Sequence, residues 1–310
     1  METDIFTIEA DDDVRLTVYS WMPDDKSTVK GIVQIAHGMA EHAARYEAFA
    51  VYMVKHGYAV FANDHRGHGK TAGAMINAGY IGGGNSWRTV LGDMHLLNKY
   101  IKALLPGNKI VLLGHSMGSF YARAYLDIFA STISGVIISG TAWYGSSLLS
   151  FGLEVAKFQC MLLGKRNHSK LLDTLSFGSY NTPFKPNKTP FDWLSRDENV
   201  CRLYTADPYC GFVCTSSFYR ELFRLLMYVQ RKDLYENLNN DFPILILSGK
   251  FDPVGEKGEG PKQVETYLKK KWFTNVTMQL YDGGRHEMLN EINKIEVWEE
   301  LTRWLARKVS

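Results

Sequence analysis

The sequence predicts an α/β fold: a mostly parallel, doubly wound sheet of about eight strands carrying a helical cap insertion. Three observations point there. Short continuous apolar runs recur at 32–36, 59–63, 110–113, 136–139 and 244–248, each followed closely by Gly, Asp or His. Such runs suit strands buried on both faces of a parallel sheet. Between them lie segments with apolar residues at three- and four-residue steps, the mark of amphipathic helices, and this alternation is that of a doubly wound sheet. The alternation then stops between about 141 and 241, a stretch holding all four cysteines, many aromatics and Pro183, Pro186, Pro190 and Pro208.

In chain order, residues 6–9 and 15–21 flank Asp11-Asp12-Asp13 and read as an antiparallel hairpin at the sheet's edge. The run 32–36 leads to a helix over 43–55, and 59–63 leads to one over 87–105. The strand 110–113 is followed by a helix over 117–129, then comes the strand 136–139. After the break, strand 244–248, helix 261–270, strand 276–280 and helix 292–308 complete the pattern. The last helix carries Ile292, Ile295, Val297, Trp298, Leu301 and Leu305 as its apolar stripe. The expected organisation is a core of residues 1–140 and 242–310 with a cap of residues 141–241. Sites in such sheets lie at the carboxyl ends of strands. An insertion leaving from the strand 136–139 emerges at that edge, so the cap is expected above the site.

Bulk properties narrow the function. The chain has 310 residues, 45% hydrophobic and 22% charged, with 35 basic and 33 acidic residues for a net charge of +2. That balance gives no electrostatic case for a nucleic-acid partner. The N-terminus lacks a basic-then-apolar secretory pattern, and no run approaches the ~20 apolar residues of a membrane span. Cys160, Cys201, Cys210 and Cys214 form no CxxC pair, so reduced thiols and a cytoplasmic location are expected. No zinc-type spacing links His42, Asp64, His65 and His68, which read as loop-bracing residues, and neither a metal nor a cofactor is expected. Nothing here fixes an oligomeric state.

The chemistry centres on Gly114-His115-Ser116-Met117-Gly118, which matches G-x-S-x-G between an apolar strand and a helix. That context marks a strained strand-to-helix turn presenting a nucleophilic serine. A serine hydroxyl needs a base, and the base an orienting acid, in the chain order Ser, acid, His. His286 follows the strand 276–280 and precedes the last helix, so it is the expected base; His168 lies in a polar loop of the insertion. Asp252, just after the strand 244–248 and before Pro253, is the expected acid. Asp282 competes but shares a loop with His286, four residues away. The oxyanion hole would use the backbone amides of Met117 and of Met39, in the Gly38-bearing loop after 32–36. Epoxide and haloalkane hydrolases are disfavoured, because their nucleophile is a carboxylate.

On these residues the chain resembles the monoacylglycerol lipases and their bacterial lysophospholipase-like relatives, serine hydrolases of the α/β-hydrolase fold. His37-Gly38-Met39-Ala40-Glu41-His42 with Arg45-Tyr46 is similar to that family's HGxGEHxxRY segment. Asp64 to Thr71 is similar to DxxGHGxS, and GHSMG, the Asp252 turn and Arg285-His286-Glu287 extend the match over nearly the whole chain. Ala40 stands where Gly is usual and Thr71 where Ser is usual. The resemblance implies hydrolysis of a monoacylglycerol or lysophospholipid through an acyl-enzyme, with Gly38, Glu41, Arg45 and His115 around the polar end of the substrate. An ion pair bracing the oxyanion loop is the alternative role for Glu41 and Arg45. The cap stripe Trp143, Leu148, Leu149, Phe151, Leu153, Val155 and Phe158 suits an acyl-chain tunnel with transient contact to a membrane surface, or simply the packing of the cap. Competing functions are a short-chain esterase, a proline-type aminopeptidase, which needs carboxylates converging on a free amine, and a non-enzymatic binding protein on the same scaffold.

Overall fold

In a computed structural model that describes residues 1–236 and 238–308, eight strands form one sheet in the order β1-β2-β4-β3-β5-β6-β7-β8. The antiparallel edge comprises β1 (Glu2–Glu9) and β2 (Arg15–Met22), paired from Glu2↔Met22 to Glu9↔Arg15. β2 also runs antiparallel to β4 (Tyr58–Asn63). From there β3 (Gly31–Ala36), β5 (Ile110–His115), β6 (Gly135–Ser139), β7 (Ile244–Gly249) and β8 (Val276–Tyr281) continue in parallel.

The period-two geometry of a strand divides its side chains between two cores. In β3, Val33 and Ile35 join the layer beneath α1 (Glu47–Lys55) and α9 (Lys294–Lys308), where Phe49 meets Trp298. Ile32 and Ala36 join the opposite layer, with α2 (Ser86–Leu104), α3 (Met117–Ile128) and α8 (Glu259–Lys270). Strands buried on both faces explain why these segments read as unbroken apolar runs.

Among the described residues between β6 and β7 lie four α-helices: α4 (Ser146–Leu162), α5 (Lys170–Phe177), α6 (Glu198–Ala206) and α7 (Ser216–Tyr228). The insertion is anchored to the core by polar contacts as well as apolar ones. Arg123 of α3 donates to the Ala142 and Val229 carbonyls at its two ends, at 3.1 and 2.8 Å.

Two expectations need correction. The segment 43–55 is a 3-10 turn over Ala43–Tyr46 followed by α1, because residues 43–46 follow the loop after β3 and are held by its polar contacts. The last helix starts at Lys294, and Ile292 and Ile295 are exposed. Buried Glu291 accepts from the Arg285 and Ile292 amides and pairs with Arg196, which fixes the chain outside the helix there. Trp304 joins Val297, Trp298, Leu301 and Leu305 in the buried stripe.

Candidate active site

β3 neighbours β4 on one side and β5 on the other, so successive connections diverge between β3 and β5. Such a switch point opens a crevice at the strand ends. The loop after β3 brings Gly38 and Met39 to it, and the turn after β5 brings Ser116.

Ser116 occupies φ 54°, ψ −119°, between β5 and the first residue of α3. Gly114 and Gly118 permit this turn. A Cβ on Gly114 would stand 2.2 Å from the Gly118 carbonyl oxygen, and one on Gly118 would stand 2.0 Å from that of Ala36. The Ser116 amide is fixed by the Ser139 carbonyl at 2.9 Å. Met117, as the first residue of α3, has an N–H without an intrahelical acceptor.

His286 and Asp252 meet at 2.9 and 3.0 Å through Nδ1 and both carboxylate oxygens. The ionised carboxylate can only accept, so Nδ1 carries the hydrogen and Nε2 is the basic atom. Asp252 is itself held by the Val254 amide (2.9 Å) and the Ser248 hydroxyl (3.3 Å). Burial pulls the His286 pKa down, but Asp252, with Glu287 and Glu41 beyond it, outweighs burial and leaves it above the ordinary histidine value. Asp282, the alternative acid, is almost fully exposed and pairs with Lys250 at 2.6 Å. His168 is exposed, with Nδ1 bonded to the Val213 carbonyl.

The loop after β3 is held from below. Glu41 accepts from the Gly38 amide, the Tyr46 hydroxyl and Arg45, and Arg45 forms a two-point pair with Glu287 at 2.7 Å. Burial alone would push both carboxylates up; Arg45 between them outweighs it and holds both below their ordinary value. With Gly38's amide committed to Glu41, the next amide, Met39, is the one at the turn. His37 adds a second support: its Nε2 accepts from the His65 amide at 2.9 Å, so Nδ1–H donates to the Gly38 carbonyl at 2.7 Å.

Gly38, Met39, Glu41, His115, Ser116, His286 and Glu287 line one cavity of about 280 Å³. Arg45 is not among its lining residues; it lies behind the two glutamates, the bracing role rather than direct contact with a substrate. His115 lies beside His286, ring centres 4.7 Å apart, and burial brings its pKa down to about 4. A second, apolar cavity of about 200 Å³ adjoins, lined by Leu148, Leu149, Phe151, Leu222, Phe223 and Leu226 among others. Met39, Ser116 and Phe177 line both.

The sequence reading missed two contributors. Glu287 was read only as part of a matching box, yet it couples the base's loop to Arg45. The cap segment 192–196 grips that same loop. Glu287 N–H donates to the Leu194 carbonyl at 2.7 Å, Arg285 donates to the Asp192 and Ser195 carbonyls, and the Trp193 ring lies tilted against that of His286, centres 5.1 Å apart.

Comparison with known proteins fits this geometry. The profile of the family described as Serine aminopeptidase, S33, matches residues 27–293. A monoacylglycerol lipase of Mycolicibacterium smegmatis is 27% identical over 94% of this chain and 93% of its own. The human monoglyceride lipase is 24% identical over 94% and 86%. Among solved structures, a thermostable carboxyl esterase from Bacillus coagulans in complex with glycerol superposes with a TM-score of 0.88 at 28% identity, covering all of both chains.

Proposed function

Because this chain belongs to the serine aminopeptidase, S33, family of α/β-hydrolases and is a carboxylic ester hydrolase, we propose that it cleaves monoacylglycerols, with lysophospholipids as the related substrates, through an acyl-enzyme on Ser116. The observation that carries this reading is the position of Ser116 where an apolar cavity meets a polar one. An ester with an acyl chain on one side and a small polyol on the other has that division of polarity at its carbonyl.

The roles follow the geometry. His286 Nε2 takes the Ser116 proton as Oγ attacks the ester carbon, and Asp252 keeps the ring in that tautomer. The amides of Met39 and Met117 receive the oxyanion, a contribution on the order of 3 kcal/mol per donor. His286 returns the proton to the leaving alkoxide, water repeats the cycle on the acyl-enzyme, and the fatty acid leaves. His115 lies at the polar end, neutral at physiological pH.

Aminopeptidase action is less well served. A free α-amine wants converging uncommitted carboxylates, whereas of those lining the polar cavity Glu41 and Glu287 share Arg45, and Asp173 gives one oxygen to the Tyr219 hydroxyl. A cytoplasmic location, with all four cysteines as free thiols, accompanies this reading. No helix among the described residues is long and apolar enough to cross a membrane.

A fluorophosphonate probe should label the protein, and Ser116→Ala should abolish both labelling and hydrolysis. A panel of monoacylglycerols, lysophosphatidylcholine, p-nitrophenyl esters and proline amides then reads the substrate class. Turnover of the amides alone would overturn the proposal.

A further inference from the structure

Outside the catalytic groups, one mixed cluster joins the core to the cap. His42, just after the oxyanion loop, donates from Nε2 to Asp207 Oδ2 at 2.9 Å, across 165 residues of sequence. Cys210 Sγ completes the group: the three donor atoms lie within 4.8 Å of one another. Asp207-Pro208-Tyr209-Cys210 is a closed turn, with the Cys210 amide on the Asp207 carbonyl at 3.0 Å. Asp207 Oδ1 is occupied by the Tyr209 amide at 2.8 Å, so the other oxygen is the one turned to His42. A hydrogen-bonded turn brings its first and last residues together, which places a carboxylate and a thiol on one side, opposite an imidazole from the core.

We propose that His42, Asp207 and Cys210 form a binding site for a zinc-class divalent metal ion that staples the cap to the oxyanion loop. One nitrogen, one oxygen and one sulfur are the donors such ions take, at ~2.0–2.3 Å, with water in the fourth position. Tetrahedral coordination at those lengths puts donor atoms about 3.3–3.6 Å apart. His42 and Asp207 would open slightly from 2.9 Å, and Cys210 would close from within 4.8 Å, small movements for side chains on a turn. The Asp207 side chain is 31% exposed and that of His42 13%, so the ion and its water have a path from solvent.

Charge is balanced. Asp207 and a Cys210 thiolate together neutralise a dication. Burial holds the free thiol up, so binding releases its proton to solvent, as thiol ligation does generally, and the His42 ring takes the tautomer with its hydrogen on Nδ1, which leaves the Nε2 lone pair to the metal. The site is built on an existing clasp. Ala40 in the oxyanion loop gives its carbonyl to the Gly211 amide at 2.9 Å and to the Tyr204 hydroxyl at 2.7 Å, on either side of the Asp207–Cys210 turn. A metal there would tighten contacts already made, stabilising the closed cap. The inference is independent of which ester is cleaved.

Co2+ added to the metal-free protein reports the ligands directly. At one equivalent it should give the intense visible bands of tetrahedral cobalt and a near-ultraviolet thiolate-to-metal charge-transfer band. Cys210→Ser should lose the charge-transfer band, and His42→Asn should weaken binding at least tenfold in competition with a chromophoric chelator. Zn2+ should raise the melting temperature of the native chain but not of Cys210→Ser, and Cys214→Ser should leave both signals intact. Each variant's metal-free circular dichroism shows that it is folded. No charge-transfer band, or one that survives in Cys210→Ser, overturns the proposal, as does zinc stabilisation undiminished in both Cys210→Ser and His42→Asn.

Discussion

Ser116 and His286 illustrate how far single residues depend on their surroundings. A serine at positive φ with ψ near −119° costs on the order of 1–3 kcal/mol, which the packing of Gly114 and Gly118 against neighbouring backbone must offset. His286 shows the electrostatic side. Burial would lower its pKa, but three carboxylates, led by Asp252, raise it above the ordinary value near ~6.5. The base must be neutral to accept a proton, so activity should rise with pH through an inflection above that value and fall away below it. Glu287→Gln removes one of the raising charges, so the acid limb of kcat/KM should move to lower pH while kcat at the optimum stays within about tenfold. Asp252→Asn instead loses the tautomer-fixing partner and should cost roughly 10³-fold or more. Rate profiles from pH 5 to 9 on a soluble ester check both; a flat native profile, or an unmoved limb in Glu287→Gln, contradicts the assignment.

Among the elements, the cap has the most specific task, because α4, α5 and α7 wall the apolar cavity beside Ser116. Leu148 is 59% exposed yet lines that cavity, so a larger side chain there can enter without overpacking a buried core. Leu148→Trp should lower kcat/KM for long-chain monoacylglycerols about tenfold and leave p-nitrophenyl acetate within about twofold. An equal loss on both substrates would point to damage at Ser116 instead. The elements of the sheet, and the turn that holds Ser116, were legible in sequence because a doubly buried strand and a glycine-flanked serine leave local signatures. Chain order alone pairs Asp252 with His286, and the structure brings these two residues together. The individual cap helices were not found beyond one amphipathic stretch, since their boundaries depend on capping by Ser169, Asp197 and Thr215 in a region without regular alternation. The contacts of Glu287 with Arg45 and of Leu194 with Glu287 join residues 242 and 93 positions apart. No local pattern encodes such pairs, so the sequence leaves Arg45 between contact with the substrate and an ion pair bracing the loop after β3, and its place behind the glutamates matches the second.

For the whole molecule, the same imbalance of buried histidines that shapes the site also sets its acid stability. His37, His65 and His68 sit together beneath the oxyanion loop, with ring centres 4.2 Å apart for the first pair and 5.2 Å for His37 and His68. Burial lowers all three, His68 to about 4, and does the same to His115. In each case the unfolded chain binds the proton more readily, so the folded state loses stability as pH falls from ~6.5 toward the folded pKa. His286 has the opposite sign: its contribution is present below ~6.5 and is lost as pH rises through its raised folded value. Glu41 and Glu287 are held low by Arg45, so their loss comes only below the ordinary carboxylate range. With half-buried His95 also lowered, five lowered histidines against one raised one make the histidine contribution to the slope positive between pH 6.5 and 4. A shift from 6.5 to about 4 corresponds to on the order of 3 kcal/mol for each of His68 and His115 once fully expressed. Unfolding free energy from urea titrations should therefore fall between pH 6.5 and 5, less steeply than the histidines alone would give, because burial raises Asp64, Asp93 and Asp173 and these bind protons more readily in the folded state. His68→Asn, whose amide can still donate to the Arg66 carbonyl that His68 Nδ1 now holds at 3.0 Å, should reduce that slope by about one proton. This loss is separable from the catalytic one. On the proposed mechanism, protonation of His286 stops turnover reversibly, so a brief exposure to pH 5.5 followed by return to pH 8 should restore full activity while the chain stays folded. A stability curve flat from pH 7 to 4.5, or an unchanged slope in His68→Asn, would show that these histidines are hydrated rather than sealed in the core.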